Sequence, residues 1–177
     1  MLIIGLGNPG EKYENNRHNV GKIFVQWLGA HISQDEINWK KDSSGSFYYC
    51  KPDEKNVFVF PNNFMNISGI AAGRSAKQFG VKIDKEFFVA HDDLDIPLGS
   101  FKIDFAKGPK LHNGIDSVEE HLHTKDFYRI RIGVDARDPQ KRTPGEAYVL
   151  QDFTDEEIKT YTEVFPKIAK RLEDIVK

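Results

Sequence analysis

The sequence predicts an α/β fold: a single-domain layered sandwich over residues 1–177, with a mixed, mostly parallel central sheet flanked by helices. Strand-like segments alternate along the chain with segments of helical periodicity, which is the pattern of layered α/β proteins. Two strand candidates, at 46–51 and 56–60, are joined by a short turn, which indicates an antiparallel pair and hence a mixed sheet. A length of 177 residues is also usual for one domain.

Apolar periodicity predicts the elements in order. The predicted strands cover 2–6, 46–51, 56–60, 86–90, 100–105 and 128–134. The first predicted helix begins at Val20, and the other predicted helices cover 67–79, 114–123 and 154–175. Thr154 and Glu157 form a capping box at the start of the last helix, and its apolar stripe continues in phase past Pro166, so we expect a bend there and not an end. Residues 136–146 are predicted to form a loop.

Composition restricts the class of protein. No run of 18 apolar residues exists, and the first residues lack the basic region of a signal peptide, so we expect a cytoplasmic protein with no membrane contact. The single Cys50 excludes an intramolecular disulfide framework and suits a reducing compartment. Because Cys50 lies in a strand-like run, we interpret it as a packing residue.

The first strand is followed by G-x-G-x-x-G at residues 5–10, the fingerprint of dinucleotide-binding oxidoreductases. Pro9 has no N–H to donate to a pyrophosphate, and helical periodicity starts only near Val20, so these glycines do not open a helix. No acidic residue lies about 20 positions after the first glycine, where a ribose partner belongs. We therefore expect a tight turn that presents Asn8, and not a nucleotide site.

A base and its carboxylate partner are candidates for catalysis. His18 lies in a dense polar segment before the first helix, titrates near neutrality and could act as a general base. The run HDDLD at 91–95 follows a buried strand. In open α/β sheets, functional groups gather beyond the carboxyl ends of the strands. Asp92 or Asp93 could hold one imidazole nitrogen of His18 and stabilise the imidazolium formed during reaction.

Two asparagines lie beside predicted helix starts, Asn66 in FMNISG and Asn113 in HNG. Their amides could orient a carbonyl or a water and stabilise an oxyanion, although helix capping would explain either one alone. No nucleophile elbow of the form G-x-S-x-G is present, which indicates direct attack by water. No Cys/His ligand spacing accompanies the aspartates, so we expect neither a metal nor a cofactor.

The net charge of -2 argues mildly against a nucleic-acid binder, but one RNA stem needs only a local basic patch. The candidates for such a patch are Lys102, Lys107, Lys110, Arg129 and Arg131. Acidic residues are interspersed among them, so from charge alone an ordinary mixed surface is the favoured interpretation.

Seven motifs then carry a specific resemblance. GLGNPG, Y-x-x-x-R-H-N-x-G, FMN-x-SG, HDDLD-x-P-x-G, HNG, RIRIG and YVL-x-x-F follow one another from residue 5 to residue 153. In this order they resemble the bacterial peptidyl-tRNA hydrolase family, whose members cleave the ester bond between a peptide and a transfer RNA.

The resemblance implies a monomeric, metal-independent enzyme without a cofactor, acting on peptidyl-tRNA. By motif position, His18 matches the base that activates water, Asp92 the carboxylate that keeps it basic, and Asn8 the residue that distinguishes N-blocked peptidyl groups from free aminoacyl groups. Residues matching substrate contacts or lining the same cleft are Tyr13, Phe64, Met65, Asn66 and Asn113. Arg131 matches a basic residue that holds tRNA phosphates.

The chain departs from the family pattern before HNG, where a Gly-rich segment is replaced by AKGPKL at 106–111. Pro109 and Leu111 should stiffen this segment. Asp104 stands where a basic residue is common, and Lys107 and Lys110 could replace the lost charge. An RNA-binding protein that no longer depends on hydrolysis is therefore the second hypothesis, and the nucleotide-dependent oxidoreductase is the third.

Overall fold

The computed structural model describes residues 1–33, 36–140 and 143–176. In these ranges the strands are β1 (Leu2–Gly5), β2 (Lys40–Lys41), β3 (Phe47–Cys50), β4 (Val57–Pro61), β5 (Phe87–Pro97), β6 (Phe101–Phe105) and β7 (Tyr128–Asp135). The helices are α1 (Val20–Ser33), α2 (Ser68–Phe79), α3 (Asn113–Leu122), α4 (Gly145–Val149) and α5 (Asp155–Val176).

The strands form one sheet in the order β2-β3-β4-β1-β5-β7-β6. Its centre is parallel, since β1 pairs with β4 and β5, and β5 pairs with β7, all in the same direction. The edges are antiparallel, with β3 against β4, β2 against β3, and β6 against β7. The predicted mixed, mostly parallel sheet is thus confirmed, including the antiparallel pair β3–β4.

Each face of the sheet carries its own apolar layer. Alternate residues of a strand point to opposite faces, so Phe88 and Ala90 of β5 join the layer covered by α1 and α5, while Phe87 and Val89 join the layer covered by α2 and α3. Both faces of the central strands are buried, which explains why β1 and β5 begin as continuous apolar runs.

β5 is longer than predicted. The sequence predicted an end at Ala90, because polar residues follow, but the strand continues to Pro97 with a register irregularity between Asp93 and Pro97. The backbone of 91–93 keeps its pairing with β7. The acidic side chains there find buried partners, so tertiary contacts override the local pattern.

The C-terminal part of the chain follows the prediction closely. The backbone N–H of Thr154 donates to Glu157 Oε2 at 2.8 Å, the N–H of Glu157 donates to Thr154 Oγ1 at 3.3 Å, and α5 continues through Pro166. The predicted loop 136–146 is wrong at its end, because α4 begins at Gly145. Lys141 and Arg142 of that loop lie outside the described residues.

The glycines after β1 serve packing and turn geometry. A Cβ at Gly5 would lie 2.2 Å from the carbonyl oxygen of Gly21, so α1 crosses β1 at a distance that only glycine permits. Gly10 has φ +100°, a conformation that L side chains rarely adopt. None of the described helices is long and apolar enough to cross a membrane.

Candidate active site

Asp92 and Asp93 lie next to each other in β5 and therefore face opposite sides of the sheet. Asp92 Oδ1 lies 2.8 Å from Nδ1 of His18, in the short helical turn just before α1. Asp93 Oδ2 accepts from Nε of Arg131 in β7 at 2.7 Å. The alternation of the strand thus decides which of the two aspartates meets His18.

A second histidine meets the same carboxylate oxygen. His112 Nε2 lies 2.9 Å from Asp92 Oδ1, and His112 Nδ1 lies 3.1 and 3.2 Å from the backbone N–H groups of Gly114 and Ile115 at the start of α3. Because those N–H groups can only donate, His112 Nδ1 must accept, and Nε2 carries the proton given to Asp92. The side chain that caps α3 is therefore His112, so the alternative interpretation of Asn113 as the cap is wrong.

The charge of Asp92 controls the protonation of His18. Burial lowers the pKa of His18, but the charge and hydrogen bond of Asp92 outweigh burial, so that pKa lies above 6.5. Burial raises the pKa of the Asp92 carboxyl, yet the charges and hydrogen bonds of His18 and His112 bring it well below its usual range. An ionised Asp92 accepts the Nδ1 proton of neutral His18, which leaves His18 Nε2 with a free lone pair.

Arg17 fixes the short helical turn that carries His18. Its guanidinium donates to both carboxylate oxygens of Glu157 at 2.6 and 2.9 Å, donates to the carbonyl oxygens of Gln151 and Asp152, and lies over the ring of Tyr148. A buried, paired arginine of this kind anchors structure. Arg17 is thus a buried anchor, whereas the neighbouring His18 faces Asp92.

The turn after β1 presents Asn8 in one orientation. Its backbone N–H and carbonyl group exchange hydrogen bonds with the side chain of Asn19, at 2.8 and 3.0 Å. Its own Oδ1 accepts the backbone N–H of Met65 at 2.8 Å. The Nδ2 of Asn8 is therefore the group of this side chain that is left to meet a ligand.

The side chains of Asn8, His18, Asp92 and His112 line one cleft of about 860 Å³. Every residue that the sequence predicted as catalytic or substrate-binding lines it: Asn8, Tyr13, His18, Phe64, Met65, Asn66, Asp92 and Asn113. Tyr13 and Phe64 form an edge-to-face aromatic pair with ring centroids 6.3 Å apart. The cleft thus combines imidazoles, amide groups and an aromatic pair within one concave site.

The remaining lining residues were not predicted from the sequence as site residues: Leu94, Leu111, His112, Gly145, Glu146, Val149 and Leu150. His112 could have been suspected, because it directly precedes Asn113 in the HNG motif. Val149 and Leu150 lie in the YVL-x-x-F motif, whereas Gly145 and Glu146 had no such signal, because they fell in the predicted loop.

One group of three side chains among the described residues has the composition of a metal site. The ligating atoms of His18, Asp92 and His112 all lie within 4.8 Å of one another. A metal needs an unprotonated ring nitrogen, whereas the two backbone bonds to His112 Nδ1 leave the proton on Nε2. This tautomer does not favour a metal, and the expected absence of one stays a prediction.

The residues predicted to contact phosphates differ in exposure. The side chains of Lys102, Lys107 and Lys110 are exposed, and Lys110 lies 3.5 Å from Asp95. Arg131 is only 8% exposed and binds Asp104 at 2.9 Å in addition to Asp93. Burial lowers the pKa of Arg131, but both carboxylates raise it, so the guanidinium stays charged and paired. This pairing weighs against a direct phosphate contact by Arg131.

Arg129, the other arginine of the suspected basic patch, lies inside the protein. It is 1% exposed and donates to Glu119 Oε1 at 2.5 Å and to the carbonyl oxygens of Lys125 and Phe127. The expectation that Arg129 contributes to a surface patch is therefore wrong. Arg129 and Arg131 alternate in β7 and therefore lie on the same face of the sheet, where Glu119 pairs with Arg129 and Asp93 pairs with Arg131.

Comparison with known proteins identifies the family of this chain. The profile of the family described as peptidyl-tRNA hydrolase matches residues 2–177. A peptidyl-tRNA hydrolase of Sulfurihydrogenibium sp. is 37% identical over 155 residues, covering 88% of this chain and 79% of the relative. A peptidyl-tRNA hydrolase of Aliarcobacter butzleri is 37% identical over 177 residues, covering 99% of this chain and 86% of the relative.

The fold is similar as well. A crystal structure of peptidyl-tRNA hydrolase from Acinetobacter baumannii superposes with a TM-score of 0.84 at 26% sequence identity, covering 99% of this chain and 87% of that one. A crystal structure of a peptidyl-tRNA hydrolase in complex with N-propanol gives a TM-score of 0.85 with the same coverage. The chain belongs to the peptidyl-tRNA hydrolase family.

Proposed function

We propose that this protein hydrolyses the ester bond between the peptide and the 3' ribose of peptidyl-tRNA, by attack of a water that His18 activates. The observation that carries the proposal is the 2.8 Å contact between His18 Nδ1 and Asp92 Oδ1. It holds the imidazole with Nε2 unprotonated, and His18 lines the cleft together with the predicted substrate contacts.

In the first step, His18 Nε2 takes a proton from water while the water oxygen bonds to the ester carbonyl carbon. The imidazolium that forms is stabilised by ionised Asp92. In the second step, the bond to the ribose 3' oxygen breaks, and the imidazolium returns its proton to that oxygen. The products are the peptide carboxylic acid, which loses its remaining proton to solvent, and a tRNA with its 3' hydroxyl restored.

The amide side chains supply orientation and charge stabilisation. Asn8 donates through Nδ2 to the peptide, because its Oδ1 is occupied by the N–H of Met65. Asn66 and Asn113 line the cleft and donate to the carbonyl oxygen as it gains negative charge. Tyr13 and Phe64 offer aromatic faces on which a terminal base can stack.

The tRNA approaches along the exposed lysines near the cleft. Lys107 and Lys110 belong to the segment that ends at His112, and Lys102 lies opposite Arg131 in the β6–β7 ladder. These lysines contact phosphates, while Arg131 holds Asp93 and Asp104. In this arrangement Lys107 and Lys110 supply the positive charge that Arg131 does not offer to solvent.

The test is a hydrolysis assay with one N-acetyl-aminoacyl-tRNA, after dialysis and in EDTA, with release of deacylated tRNA as the readout. We expect turnover without any added cofactor. Tight tRNA binding with no turnover would favour the RNA-binding alternative. Loss of activity in EDTA that one divalent ion restores would overturn the metal-free mechanism.

We also propose that the protein works as a single-domain monomer in the cytoplasm. All predicted catalytic and substrate-binding residues line one cleft of one chain, so the site needs no residue from a second copy. Light scattering coupled to size-exclusion chromatography should give the mass of one 20.3 kDa chain. A dimer mass at assay concentration would contradict the monomer.

A further inference from the structure

Leu111 is the most exposed large apolar side chain among the described residues, at 90%. It does not lie on a remote surface, because it lines the cleft that contains His18. Phe64 and Leu150, which are 53% and 49% exposed, line the same cleft. Exposed apolar side chains that gather in one concave site indicate a binding surface.

The backbone on both sides of Leu111 is held by buried groups. The next residue, His112, is fixed through both ring nitrogens, to Asp92 on one side and to the start of α3 on the other. Three residues earlier, Gly108 packs on Arg131, where an added Cβ would lie 2.6 Å from the guanidinium carbon. Leu111 is thus carried by an anchored segment beside the candidate base.

The chemistry of the cleft wall distinguishes two parts of a ligand. Tyr13 and Phe64 are aromatic and suit a planar base. Apart from Met65, the other apolar lining residues are aliphatic: Leu94, Leu111, Val149 and Leu150. Aliphatic side chains offer no π face for stacking a base, but they match the aliphatic side chain of an acyl group. Glu146 on the same wall disfavours an acidic side chain.

From these observations we infer that Leu111 is a specificity-determining residue that favours esters whose acyl group carries a large apolar side chain. The inference rests on the proposed ester hydrolysis and names the substrate class of the same site. Leu111 contacts the side chain of the esterified amino acid, with Leu150 completing the wall. One apolar contact of this kind changes kcat/KM about 10-fold between substrates that fill it and substrates that do not.

The experiment uses a single tRNA charged chemically with either N-acetyl-leucine or N-acetyl-glycine, so that only the acyl side chain differs. We compare kcat/KM for both esters in the full-length wild-type protein, Leu111→Ser and Leu111→Met. The wild-type protein should prefer the leucyl ester. Leu111→Ser should reduce that preference about 10-fold, since it removes the apolar contact, whereas Leu111→Met should retain it.

Val176→Ser is the matched control, because Val176 is 45% exposed but does not line the cleft, and it should leave both rates as in the wild type. An unchanged leucyl-to-glycyl ratio in Leu111→Ser would overturn the specificity role. An equal loss on both esters would also overturn it and would assign Leu111 to the placement of His112. No turnover of either ester by the wild type would overturn the proposed function itself.

Discussion

Asp92 and Asp93 are chemically identical neighbours in one strand, yet the structure gives them opposite tasks. Asp92 meets two imidazoles, His18 and His112, and its charge outweighs burial and raises the pKa of His18. Asp93 meets Arg131, whose guanidinium does not titrate. The comparison teaches that a buried carboxylate of this strand either raises the pKa of an imidazole or pairs with a guanidinium, according to the face of the sheet on which it lies.

Removing the titrating partner should have the largest effect. His18→Ala should lower kcat by about 10²–10⁴-fold, the usual contribution of a general base, with little change in tRNA affinity. Turnover of an N-acetyl-aminoacyl-tRNA and tRNA binding are the measurements, and circular dichroism checks the fold. His31→Ala, an exposed histidine on α1, is the matched control and should keep full activity. Near-normal turnover in folded His18→Ala would contradict the mechanism.

Neutralising Asp92 tests its effect on His18 through the pH dependence of hydrolysis. Asp92→Asn should slow hydrolysis by about 10²-fold, because the amide no longer stabilises the imidazolium. The charge of Asp92 now raises the pKa of His18 above 6.5. Its removal should lower that pKa, so the acid limb of the kcat/KM profile moves to lower pH. The same pKa can be followed by NMR titration, and an unshifted value would argue against the pairing.

Neutralising Asp93 is the matched change in the same strand. Asp93→Asn should leave the acid limb of the profile in place, because Asp93 does not contact His18. It should instead lower the free energy of unfolding by about 1–3 kcal/mol, the value of a hydrogen bond to a charged group. Urea denaturation measures this loss. If Asp93→Asn moved the pH profile and Asp92→Asn did not, the two assignments would have to be exchanged.

The smallest effect is expected for two surface lysines that contact neither Asp92 nor Asp93. Replacing Lys107 and Lys110 by alanine should weaken tRNA binding and flatten its log–log dependence on salt by up to about two units of 0.7–0.9 each. Lys167 and Lys170, exposed on α5, carry the same charge and serve as the control pair. A short ester substrate without most of the tRNA should be hydrolysed as before. An unchanged salt slope would show that both lysines are only solvated surface.

The elements of the fold were largely predictable because their signals are local. The antiparallel turn between β3 and β4, the capping box at Thr154 and the in-phase stripe through Pro166 each depend on residues a few positions apart. The end of β5 was not predictable in this way. The polar residues after Ala90 indicate a loop in the sequence. Only the pairing with β7 and the buried Arg131 show that the strand continues.

The candidate site shows the same difference between local sequence signals and tertiary contacts. The motifs indicated that His18, Asp92 and the asparagines belong to one site, and the same motifs contain Arg17 and Arg131. Their burial against carboxylates, with Glu157 lying 140 positions from Arg17, makes them structural anchors in the described part of the chain. A charged side chain shows its role only when its counter-ion is known.

The sequence by itself determined the α/β class, the order of most elements, and the residue types available for hydrolysis without an acyl-enzyme. Those features follow from periodicity, capping and side-chain chemistry, which are properties of short segments. Only the tertiary structure decided between Asp92 and Asp93, fixed the tautomer of His112 and placed Leu111 on the cleft. These depend on contacts such as that of His18 with Asp92, 74 positions apart, where the two-residue alternation of a strand selects which side chain faces the base.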